Sequence, residues 1–80
     1  VSEKRFARAQ RALGTYYFKR QAYDLAADAF EKALSINSIF HGIWFCLGCC
    51  QMNLERWEKS IFSFTRVISL EPEDAEAWAN

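Results

Sequence analysis

The chain is poor in residues that break helices and in residues that build reaction centres. Its 80 residues include one proline, three glycines and one histidine. With so few breakers there is no Pro/Gly-rich linker or low-complexity tract, and no apolar/polar alternation reads as a strand. Gly14, Gly42 and Gly48 form no phosphate-cradling loop. His41 lies at the start of a helix, away from any nucleophile with a third orienting group, so no catalytic set emerges. Aspartates and glutamates are scattered on outer faces, where solvation and capping are their default roles, and paired carboxylates for acid–base work are not indicated. The formal charge is zero, from ten basic and ten acidic side chains. No whole-domain field therefore draws the chain to nucleic acid or to an anionic membrane. No secretory leader pattern is visible. The longest apolar run, 39–52, is broken by His41, Gly42, Gly48 and Gln51 and is too short to span a bilayer. The expectation is a soluble, intracellular, non-enzymatic chain with no cofactor and no metal.

Apolar mass is plentiful: 51% of residues are hydrophobic and 16% aromatic, enough for a packed helical core. An ordinary two-layer core is nevertheless marginal at this length. A repeat resolves the difficulty. Tyr23, Ala26, Phe30, Ala33 and Leu34 recur 34 residues later as Trp57, Ser60, Phe64, Val67 and Ile68. The same shift carries Leu13 and Gly14 onto Leu47 and Gly48, and Trp44 onto Trp78. A helical hairpin of this period cannot bury its apolar face alone and must stack on neighbours. Trp78 opens a further unit that Asn80 cuts off, so a fragment of a longer array is expected.

The spacing of Phe6, Ala9, Leu13 and Tyr17 predicts a helix over 4–19 with Ser2 as N-cap. Gln21 begins a turn. Asp24 is the expected N-cap of a second helix reaching Leu34 or Ile36, with Ala26, Ala27, Phe30, Ala33 and Leu34 on its inner face. Asn37 and Ser38 end it. A third helix over about 42–54 presents Trp44, Leu47 and Gly48 to its partner, and Gly48, like Gly14 before it, permits close approach. Glu55 and Arg56 turn the chain into a fourth helix over 57–70. Glu71 and Pro72 stop that helix, and Glu73 and Asp74 favour the start of a fifth.

Through Leu13, Gly14, Tyr17, Tyr23, Ala26, Phe30 and Ala33 in one unit, and Trp44, Leu47, Gly48, Trp57, Phe64 and Pro72 in the next, the chain resembles tetratricopeptide repeats (TPR). The departures are Gln10 for the first tryptophan, Gln51 for a tyrosine, Gln21 and Glu55 where glycine is usual, Ser60 for alanine and Ser38 for proline. A narrower resemblance, through 42–49 and 70–78, is to the eukaryotic tetratricopeptide repeat protein twenty-seven family. The resemblance implies an all-α, right-handed solenoid of stacked helix-turn-helix units. It divides the fragment 1–80 into a first unit at 7–40, a second at 41–74 and the start of a third at 75–80. It further implies a cytoplasmic scaffold, with the nucleus as a second compartment, and no catalytic activity.

In such arrays the first helix of each pair lines a concave groove that receives a peptide or helix of a partner protein. The matching columns are Arg8, Arg11, Thr15, Phe18 and Lys19 in the first unit, and Gly42, Phe45, Cys49, Met52 and Asn53 in the second. Phe45, Cys49 and Met52, four and three apart, make one apolar stripe. Exposed, that stripe is a docking surface; packed on another repeat, it is scaffold, and the binding surface of the array lies elsewhere. Arg8, Arg11 and Lys19 form a basic strip suited to an acidic partner, or a plain solvated face. The positions that grip the acidic terminus of chaperones in other TPR domains fall here on Arg11, Thr15, Cys46, Glu76 and Asn80. Only Arg11 keeps the required charge, and Glu76 repels a terminal carboxylate, so a chaperone carboxylate clamp is not expected.

Cys46, Cys49 and Cys50 beside His41 raise metal or redox chemistry as a third alternative. Zinc sites usually pair two separated elements, and an in-helix disulfide is strained. The default is that these thiols pack as small apolar groups. Self-association through the C-terminal end, 75–80, is a further expectation, because an incomplete third unit leaves an apolar face uncovered.

Overall fold

Four helices follow one another: α1 (Ser2–Lys19), α2 (Tyr23–Ile36), α3 (His41–Asn53) and α4 (Trp57–Leu70). The computed structural model describes residues 2–38 and 40–70, without the side chains of Ser2, His41 and Leu70. The expected Ser2 side-chain cap, the helix stop at Glu71 and Pro72, the fifth helix and Trp78 lie outside the described residues. α1 packs along α2 and α3 along α4; α3 also lies against α2 and touches α1 only lightly. The first helices of the two pairs therefore stand side by side on one face, and α2 and α4 form the other.

Each pair is closed by a glycine facing a phenylalanine. A Cβ built on Gly14 would lie 2.6 Å from the Phe30 ring, and one on Gly48 would lie 2.9 Å from the Phe64 ring. Both distances are shorter than any side chain tolerates, so glycine lets the second helix come in until its ring rests on bare backbone. Phe30 is 1% exposed and centres a core of Ala26, Ala27, Ala33, Leu34, Ile43, Leu47 and Cys50. Two of the departures from the family pattern make their own bonds. Ser60, in an alanine column, donates its hydroxyl to the Gly48 carbonyl at 2.9 Å, and Gln51, in a tyrosine column, accepts from Ser63 Oγ at 2.7 Å. Buried polar groups that are satisfied in this way cost little.

The turns inside the two pairs are the same. Ala22 N–H reaches the Tyr17 carbonyl and Gln21 N–H the Phe18 carbonyl; Arg56 N–H reaches Gln51 and Glu55 N–H reaches Met52. This six-to-one, five-to-two pattern is a Schellman motif, which demands a left-handed residue at its first position past the helix. Gln21 (φ 64°) and Glu55 (φ 61°) occupy that position, which explains why the family favours glycine there. The motif also corrects the expectation for Asp24. The motif uses up residues 20–22, so α2 starts at Tyr23 with Ala22 as its cap residue and no side-chain cap bond. Asp24 instead lies in the first helical turn, where its charge favours the helix dipole. Glu55→Gly should raise stability by about 1 kcal/mol, the cost of holding a side-chain-bearing residue in left-handed backbone. A urea midpoint unchanged or lowered in that variant would contradict the assignment.

The 34-residue shift also shows where stacking acts. Ala27 and Leu34 of α2 are 1% and 7% exposed, whereas their counterparts on α4, Ile61 and Ile68, are 67% and 69% exposed. α3 covers the face of α2; among the described residues no helix covers the equivalent face of α4. On the other side, Leu47 is buried but Leu13 is exposed, because α2 stands before α3 and no described element stands before α1.

Candidate interaction groove

α3 carries no charged residue. A helix apolar on all sides is ordinarily enclosed on all sides. Here Ile43, Leu47 and Cys50 are enclosed, but Phe45 (54% exposed) and Met52 (45%) are not, and Cys49 between them is half-buried. Phe45 meets the Phe64 ring edge-on at 5.6 Å, which fixes its direction while leaving one face free. Asn53 turns its amide back to the Cys49 carbonyl at 2.9 Å.

Opposite, α1 presents exposed Arg8, Arg11, Thr15 and Lys19. Thr15 bonds its own helix, Oγ1 to the Arg11 carbonyl at 3.0 Å. The Arg11 guanidinium lies 5.4 Å from the centre of the Phe40 ring, a cation–π arrangement that holds it at the seam between the two helical pairs. A cavity of about 360 Å³ opens there, bordered by Arg11, Thr15, Phe40, Gly42, Ile43 and Cys46. A Cβ on Gly42 would meet nothing within 4 Å, so the cavity is open at that wall. A second cavity of about 410 Å³ lies beyond Phe40, beside Lys4, Arg8 and Asn37.

The structure thus brings Arg11, Thr15 and Gly42 to one cavity and leaves Phe45 and Met52 exposed on α3. Phe18 is different: half-buried, it stacks edge-on against Tyr23 at 5.9 Å and packs on the core. Phe40 precedes α3 and belongs to no helical face, so apolar spacing does not point to it. Its one signal in the sequence is an aromatic residue directly before the uncharged helix.

The cysteines lie along α3 as free thiols. Burial pushes Cys50 up to about 12, with Cys46 and Cys49 adding to the shift; burial also raises Cys46, with Cys49 beside it, and Cys49. Neutral thiols are poor nucleophiles and poor ligands. Among the described residues, no three His, Cys, Asp or Glu side chains converge to hold a metal ion, and the His41 side chain lies outside that set. No described helix is long and apolar enough to cross a membrane.

Two family models of the tetratricopeptide repeat match, one over residues 7–40 and the other over 41–74. The chain belongs to the tetratricopeptide repeat family. Curated TPR relatives include a TPR repeat-containing protein of Schizosaccharomyces pombe, 40% identical over the whole chain, which covers 10% of that protein. A tetratricopeptide repeat protein 27 homolog of Dictyostelium discoideum is 50% identical over 70% of the chain and 7% of its own length. The chain therefore spans about a tenth or less of the curated relatives it matches. Among solved structures, a mutant of MamA superposes with a TM-score of 0.78 at 33% identity, over 82% of this chain and 36% of that one. The fold is accordingly an all-α TPR solenoid. TPR repeats are in general protein-interaction modules and non-enzymatic scaffolds.

Proposed function

We propose that this pair of TPR units binds a peptide or helix of a partner protein in the groove between α1 and α3. Phe45, Cys49 and Met52 form its apolar floor and Arg8, Arg11 and Lys19 its basic side. The observation that carries this reading is the uncharged α3, whose free face still bears an exposed phenylalanine and methionine after its other faces are packed. A chaperone carboxylate clamp is not part of it: Thr15 and Cys46 border the cavity beside Arg11 and supply no second cation.

The competing reading, that these units serve only as packing elements of a longer array, is favoured by a different surface. Ile61 and Ile68 on α4 are exposed where their first-unit counterparts are covered. That face is suited to a following repeat, and its use for stacking leaves the groove free. Phe45→Glu with Met52→Glu, in protein shown to keep its helicity by circular dichroism, should reduce recovery of groove-dependent partners from cell extract by tenfold or more, about 1.4 kcal/mol or greater. Recovery of every partner at wild-type level would move the binding surface to other repeats.

A further inference from the structure

We infer that the groove selects a segment of two chemical halves: aspartate or glutamate side chains over α1 and apolar side chains on Phe45 and Met52 of α3. The inference rests on the groove being a partner-binding surface and names the chemistry of the partner.

It starts from how a chain of zero net charge distributes its charges. α1 carries Lys4, Arg5, Arg8, Arg11 and Lys19 against Glu3 alone, whereas α3 has no charge. The carboxylates gather elsewhere, in α2, at Glu55 and Glu58, and in the sequence 71–76. The two walls of the groove therefore differ in kind, one cationic and one neutral and apolar. Lys4 and Arg8 border the cavity on one side of Phe40, where Glu3 is the only carboxylate, and Arg11 borders the cavity on the other. Among the described residues the only ion pair is Lys32–Asp28 on α2, so neither Arg8 nor Arg11 is paired there with a carboxylate. Phe40 fixes Arg11 in place. A guanidinium already positioned loses less freedom when it takes a carboxylate, and its fork fits both oxygens at once.

The apolar half follows from α3. Phe45 and Met52 lie seven residues apart on one helix face and are about half-exposed. Closely packed helices have axes about 10 Å apart, and α1 and α3, which touch only lightly, stand no closer than that. With an advance of about 3.3 Å per residue in an extended peptide, acidic and apolar side chains of the partner should stand about three or more residues apart.

The test is fluorescence anisotropy of the 80-residue chain with short, C-terminally amidated peptides. One carries glutamates and leucines in that spacing; a second has lysine for glutamate, and a third phosphoserine for glutamate. The glutamate peptide should bind about tenfold tighter than the lysine peptide, with the preference shrinking as salt is raised. Arg8→Glu with Arg11→Glu should erase the preference, and Arg8→Gln with Arg11→Gln should reduce it without adding repulsion. Phe45→Ala, which removes the apolar contact and adds no charge, should weaken both peptides alike. Equal binding of both peptides, still lost in Phe45→Ala, overturns the charge selection and keeps the groove. Binding of neither, or binding indifferent to Phe45→Ala, overturns the groove itself. A phosphoserine peptide that outcompetes the glutamate one reassigns the cationic wall to phosphate and overturns the inference. So does salt-sensitive self-association of the chain lost in Arg8→Glu with Arg11→Glu, which would seat the acidic 71–76 of a second copy there.

Discussion

Phe30→Ala should cost about 3–5 kcal/mol, the range for a phenylalanine truncated in a packed core. A domain of this length has only about 4–12 kcal/mol to lose. The ring is 1% exposed, rests on the bare backbone of Gly14 and belongs to the core cluster that joins α2 to α3. Its loss therefore opens a cavity at the point where one helical pair meets the next. The same truncation 34 residues on, at Phe64, should cost clearly less, because that ring is only half-buried and shares its edge with Phe45. Urea unfolding followed by helical circular dichroism checks both. Equal losses at the two positions would mean that the core is not centred on the first pair.

Gly14→Val should be the second most damaging change, at about 3 kcal/mol, the upper end of ordinary overpacking. The first added carbon lies 2.6 Å from two atoms of the Phe30 ring, which is 1% exposed and packed within the core cluster. Gly48→Val meets Phe64 at 2.9 Å, and a half-buried ring beside the groove can swing away. About half the loss is expected there. The pair also reports on the groove. If Phe64 swings, it displaces Phe45, so Gly48→Val should weaken partner binding in protein that remains folded. A Gly14→Val variant as stable as wild type would contradict the close approach of α1 and α2.

The helices were legible because the 34-residue recurrence and the spacing of apolar residues are direct imprints of stacking. The third and fourth helices, read as 42–54 and 57–70, are found at His41–Asn53 and Trp57–Leu70. The close approaches at Gly14 and Gly48 were equally legible, because a glycine inside a helix needs a packing reason. Asp24 has a side chain suited to capping but does not cap α2, because the Schellman turn, set by backbone hydrogen bonds, occupies the residues before it and starts the helix at Tyr23. Within the groove, the sequence placed Arg8, Arg11 and the Phe45 stripe on helix faces. It did not place Phe40, whose role depends on where a loop carries it, or Phe18, which Tyr23 draws toward the core.

Partners are expected to approach the α1/α3 side of the stack rather than the α2/α4 side. Two exposed aromatic positions mark these faces: Phe45 on α3, 54% exposed, and Phe62 on α4, 59% exposed. A photo-crosslinking phenylalanine analogue placed at each position in turn, in protein expressed in cells and irradiated, reads the approach directly. Adducts to a partner from position 45, with few or none from position 62, are the predicted result. Adducts from position 62 and none from position 45 would place the docking face on α2 and α4 instead.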